Sequence, residues 1–160
     1  MKQFDFSERG RVYIQIHIKP QDDSTLAPVR FKVDTGADFT AVSKLALISL
    51  GYDMDWIRNN AVTFRDGEKP MTASGDTIDA GYIQLPLVNI LGYEGKHWPF
   101  QIIMNEKQDF RNLLGRDLLT GFNYWFNNDD DVFTISRVKV FKPRYTFLPN
   151  QEINEIFAAS

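Results

Sequence analysis

The sequence predicts a mostly-β single domain carrying a few short helices, on three observations. Apolar and polar residues alternate from Val12 to Lys19 and from Val29 to Val33, the period of a strand with one buried face. Turn residues punctuate the chain at Asp66-Gly67, Ser74-Gly75-Asp76 and Gly92 to Lys96, which leaves short segments between them. The length of 160 residues, with 43% hydrophobic and 24% charged residues, suits one ordinary globular domain.

Element by element, Val12, Ile14, Ile16 and Ile18 point one way and Tyr13, Gln15, His17 and Lys19 the other, giving a first strand. Pro20 to Ala27 is polar and turn-like. Val29, Phe31 and Val33 then alternate with Arg30 and Lys32 in a second strand that ends at Asp34. Ser43 is an N-cap candidate for a helix from Lys44 to Leu50, with Gly51 where such a helix commonly stops. Strand patterns return between Ala61 and Asn105, through Val62 and Phe64, Ile78 to Ile90, and Phe100 to Ile103. After Gly115, the Leu118-Leu119 pair and the nearby Gly121 predict a helix of little more than two turns. Phe122 to Phe126 and Val132 to Phe141 flank Asn127 to Asp131, the pattern of a hairpin. A last helix is expected near Asn150 to Ala158, with Asn150 as its cap.

Composition excludes several function classes. Eighteen basic residues stand against 21 acidic ones, a net charge of -3, with no Lys/Arg block, so no nucleic-acid partner is expected. The absence of cysteine removes disulfide frameworks, zinc ribbons and thiol catalysis. Charges interrupt the first eleven residues, and no run approaches the roughly 18 apolar residues of a membrane span. A soluble, cytoplasmic protein is the expectation, and Met1 points to an independent product rather than a released polyprotein segment. His17 and His97 lack spaced companions, and Asp129-Asp130-Asp131 lacks the pattern of a calcium loop; no metal or other cofactor is expected. Trp56, Trp98 and Trp125 are expected in the core or an interface. No phosphate-binding glycine loop or Gly-x-Ser-x-Gly elbow occurs.

The chemistry concentrates in Phe31-Lys32-Val33-Asp34-Thr35-Gly36-Ala37-Asp38-Phe39-Thr40-Ala41-Val42-Ser43. Here a strand delivers a carboxylate into a turn of small residues. Gly36 permits a sharp turn and close approach of a bound chain, and Thr35 places a hydroxyl beside the carboxylate. This segment resembles the active-site motif of the aspartic proteases, in the single-lobed retropepsin-like type. Leu113-Leu114-Gly115-Arg116-Asp117-Leu118-Leu119 resembles the hydrophobic-hydrophobic-Gly segment that leads into a short helix late in that fold. The resemblance spans about Val12 to Phe141. It implies a retropepsin-like acid protease domain over residues 1–142, with 143–160 as a C-terminal extension that makes the chain more similar to cellular or bacterial members than to viral ones.

Peptide hydrolysis by this chemistry needs two carboxyl groups, one ionised to activate water and one protonated to polarise the scissile carbonyl. Two carboxyls about 3 Å apart share one proton and titrate as a pair. The chain holds no second Asp-Thr-Gly or Asp-Ser-Gly, so the partner carboxylate is expected from a second copy across a two-fold axis. The expected protein is a homodimer acting on a protein or peptide substrate, with Asp34, Thr35 and Gly36 catalytic.

The resemblance implies further roles. Thr35 reaches across the two-fold axis, and Asp38 pairs with Arg116 to brace the active-site loop. Ala37 and Asp38 hold substrate backbone. A covering hairpin, or flap, over Lys69 to Tyr82 has its tip at Ala73, Ser74, Gly75 and Asp76, and binds the substrate as an added strand. With one glycine at the tip and Asp76 beside it, this flap departs from glycine-rich viral flaps. A second function class therefore stays open, a catalytically silent dimer of the same fold that binds or scaffolds peptides.

Overall fold

The computed structural model describes residues 1–7, 9–22, 25–63, 75, 79–104 and 111–137. The expected C-terminal extension and its helix lie outside the described residues, as do Ala73, Ser74 and Asp76.

The first alternating run forms β2 (Tyr13–Ile18), and the second forms β3 (Ala27–Val33). They pair antiparallel, from Tyr13 opposite Lys32 to Ile18 opposite Ala27. Ile14, Ile16, Ile18, Phe31 and Val33 are buried in the main core, as the period-2 pattern requires. Ser43 caps α1 (Lys44–Ser49), its side chain accepting a hydrogen bond from Ala46 N at 3.1 Å.

Two elements had no counterpart in the sequence reading. β1 (Lys2–Asp5) is short and polar, so it shows no clean alternation. It forms because it pairs with β9 (Val132–Arg137), Phe4 standing opposite Phe133. α2 (Met54–Asn60) follows at once on α1. Its N-cap Asp53 accepts from Trp56 N at 2.8 Å, and it buries Ile57. Between these helices Tyr52 is buried and donates its hydroxyl to Lys19 O at 2.6 Å, with its ring 4.3 Å from that of Trp56.

The middle of the chain folds into β4 (Val62–Thr63) and two long strands, β5 (Ala80–Ile90) and β6 (Tyr93–Ile103). The expected turn over Gly92 to Lys96 is shorter than predicted. Leu91 and Gly92 both have positive φ, 51° and 93°, the requirement of a two-residue hairpin turn. Pairing therefore resumes at Tyr93, opposite Ile90.

β7 (Leu113–Leu114) lies parallel to the end of β3, with Lys32 opposite Leu113 and Val33 opposite Leu114. α3 (Arg116–Leu119) has four residues, a correction to the two turns expected. Gly121 N donates to Leu118 O, and the chain enters β8 (Phe122–Asn127) at once. β8 and β9 form the expected hairpin.

One sheet runs β4-β5-β2-β3-β7 with β6 joined to β5, and the other runs β1-β9-β8. Trp98 is fully buried and Trp56 packs on the core, but Trp125 is 47% exposed. β8 turns Phe122 and Tyr124 to the core, so the alternate position Trp125 faces away from it. No helix among the described residues is long and apolar enough to cross a membrane.

Candidate active site

Asp34 follows β3 directly, and its N–H donates to Leu114 O at 2.9 Å. The β3–β7 pairing thus continues one residue past the strand and fixes where the carboxylate begins. Ala37 N donates to Asp34 O at 3.2 Å, closing the turn, and Gly36 N donates to Asp34 Oδ1 at 3.0 Å. Gly36 is not among the positive-φ residues. What it contributes is room: a Cβ there would stand 3.2 Å from Asp34 Oδ1. Thr35 and Gly36 are exposed and Asp34 is partly exposed.

The loop after this turn is clasped by the Leu113 to Asp117 segment. Ala41 and Leu113 exchange two backbone hydrogen bonds of 2.9 Å, Arg116 N donates to Ala37 O at 2.9 Å, and Asp117 N donates to Asp38 O at 3.3 Å. Gly115 permits this approach, since a Cβ there would meet Phe39 C and O at 2.6 Å and Ala37 O at 2.9 Å. A backbone cannot withdraw as a flexible side chain could.

Arg116 Nη2 donates to Asp38 Oδ1, so these two residues do meet. Both side chains are more than half exposed, 57% and 67%, and solvent screens the pair. The backbone bonds from Arg116 and Asp117 do more to hold this loop than the charges.

The sequence reading gave no role to Asp117, yet it is the loop's buried anchor. Asp117 is 3% exposed and Thr40 fully buried. Thr40 N donates to both carboxylate oxygens at 3.0 Å, Thr40 Oγ1 donates to Oδ1 at 2.6 Å, and Leu118 N donates to Oδ1 at 2.7 Å. The Thr40 hydroxyl also accepts from Gly115 N at 3.0 Å, so it both donates and accepts. Burial pushes the Asp117 carboxyl up to about 6, although the hydrogen bonds from Thr40 and Leu118 oppose that shift. Its signal in the sequence was a carboxylate set among Leu114, Leu118 and Leu119. Acids are almost never fully buried unless paired or hydrogen-bonded.

Of the expected flap, Gly75 is exposed with φ 90°. The end of the expected hairpin, Ala80 to Tyr82, belongs to β5, where Gly81 and Tyr82 pair with β4 and all three residues pair with β6. Ala80 and Ile103 form a small apolar cluster with Phe39 and Tyr82 beside the loop. Among the described residues, no cluster of three His, Asp or Glu side chains could hold a metal ion.

A solved structure of a retropepsin-like aspartic protease from Rickettsia conorii is similar to this chain. The TM-score is 0.57 with 24% sequence identity, over 82% of this chain and 86% of that one. The fold is retropepsin-like. No family model and no curated protein matches the chain. In this retropepsin-like frame the aspartate-bearing turn sits where β3 meets β7, open on one side and clasped on the other. One Asp34 oxygen accepts from Gly36, and the partly exposed side chain can meet a second group.

Proposed function

We propose that the protein is an aspartic endopeptidase, active as a homodimer in which Asp34 from each copy forms one catalytic pair across a two-fold axis. The observation that carries this is the exposed Asp34-Thr35-Gly36 turn, held by Leu114 and Gly36 on a retropepsin-like fold. Exposure of Thr35, Gly36 and Asp38 and partial exposure of Asp34 in a single copy suit residues that meet their counterparts in a second. One Asp34 carboxylate would take a proton from water as it attacks the scissile carbonyl. The other, protonated, would donate to the carbonyl oxygen; the first would then pass its proton to the amide nitrogen as the C–N bond breaks, and the second would recover its proton from the gem-diol hydroxyl. Thr35 would tie the two turns together, Ala37 and Asp38 would hold the extended substrate backbone, and Ala73, Ser74 and Gly75 would cover it.

The test compares the protein with Asp34→Asn on an unfolded protein substrate, with solution mass measured alongside. Cleavage should fall by at least about a thousandfold while the dimer mass persists. Equal cleavage by the variant, or a monomer with undiminished activity, would end the proposal.

A further inference from the structure

A second feature lies on β3, the strand that leads into Asp34. Phe31 and Val33 are buried, so Arg30, Lys32 and Asp34 leave the opposite face of β3 at steps of about 6.6 Å. β2, β3, the start of α1 and the residues before β7 line an open hollow of about 440 Å³. Its lining includes Arg11, Arg30, Lys32 and Arg111, with no carboxylate among the described residues that line it. No described carboxylate forms an ion pair with any of these four cations.

The hollow has a built floor. Asn112 accepts from Ser43 N at 2.7 Å and donates to Arg30 O at 3.2 Å, tying β3 to α1. The Arg30 guanidinium lies 3.9 Å over the Tyr13 ring, a cation–π contact that fixes its head. Interaction with Arg11, seconded by Arg30, holds the Tyr13 hydroxyl below the ordinary phenol range, the mark of a positive local field. A second hollow shares Tyr13 and Arg30 and adds Lys2 and His17, so the basic character continues along the sheet. Four cations gathered with no counter-charge among the described residues, on a chain of net charge -3, make a local field that attracts anions.

We infer that this cationic hollow binds an acidic segment of the protein substrate, outside the bond that is cut. The inference rests on the proteolytic reading of Asp34 and names the class of substrate. Two features select a peptide. Arg30 and Lys32 repeat at the two-residue pitch of an extended chain, so Asp or Glu at alternate substrate positions meets them in register. Guanidinium groups also match carboxylates in a forked geometry. A nucleic acid would want open aromatic faces for stacking, and Arg30 covers a face of Tyr13, the aromatic ring among the described residues of this lining.

The test uses matched fluorescent peptides that share one cleavable core and carry either acidic or neutral flanks. Cleavage by the full chain is measured beside binding to Asp34→Asn. Acidic flanks should lower KM, and tighten binding, about tenfold with little change in kcat. The difference should shrink to under about twofold near 0.5 M salt. Arg30→Glu with Arg111→Glu, both at exposed positions, should invert the preference towards lysine-rich flanks. Equal KM for the two peptides, or a preference untouched by charge reversal, would overturn the inference while leaving proteolysis intact. Tighter binding of a single-stranded oligonucleotide of equal charge, lost in the same double variant, would overturn it in favour of nucleic acid. Binding of the acidic peptide with no hydrolysis of any peptide would instead retain the hollow and defeat the proteolytic reading.

Discussion

The two ends of the loop from Asp34 to Thr40 are built differently. At the Asp34 end, Thr35, Gly36 and Asp38 are exposed, and the side-chain links are one backbone donor to Asp34 and a solvent-facing Arg116–Asp38 pair. At the Thr40 end, six residues later, Asp117 is buried under three separate donors and Gly115 touches the facing backbone. The loop is rigid where it joins the core and open where chemistry is proposed. Positioning by the buried end lets the exposed end keep a geometry it does not itself enforce.

The sharpest way to break this contrast is to strike the buried end. Gly115→Ala drives a methyl into Phe39 and Ala37 backbone. It should cost about 3 kcal/mol in denaturant unfolding and, by displacing the Ala37 to Asp38 stretch about 1 Å, about a hundredfold in peptide hydrolysis. A variant of unchanged stability would show that this approach is looser than the distances indicate.

Next in size is the titration of Asp117. Its folded value is raised from 3.8 to about 6, so between those limits the native state binds more protons than the unfolded state, and this group's contribution falls as pH rises. The stability of the protein relative to Asp117→Asn should therefore increase as pH drops from about 7 towards 4, by about 2–3 kcal/mol, and be level above 7. Urea midpoints of both proteins across that range test it; an opposite slope would mean that the hydrogen bonds outweigh burial. The smallest effect belongs to the exposed end. Arg116→Ala should change unfolding free energy by under about 1 kcal/mol, and a larger loss would mean that the pair is shielded by something beyond a single copy.

Much of this was legible in the residues. The alternation of Ile14, Ile16 and Ile18 placed β2, Ser43 placed the start of α1, and Asp34-Thr35-Gly36 with Leu113-Leu114-Gly115 led to the fold. What escaped depended on distant partners. β1 exists through its register with β9, and no local pattern in Lys-Gln-Phe-Asp reports that. The length of α3 was set by the immediate start of β8 rather than by propensity. Asp117 was passed over because its importance lies in Thr40, 77 residues away, and the basic hollow because Arg11, Arg30 and Arg111 come from three separate segments. Gly36 stands out in the sequence for a sharp turn and the close approach of a bound chain; the space it leaves beside Asp34 becomes visible only in the fold.

The parallel pairing of β3 with β7 also sets an order of events in synthesis. Asp34 leaves the ribosome before Leu114, yet the carbonyl that receives its N–H belongs to Leu114. A nascent chain therefore carries Asp34 without this anchor until the later strand has been made. Such a long closure is slow to form, so the turn that holds the acid is set only after β2 to β6 have emerged.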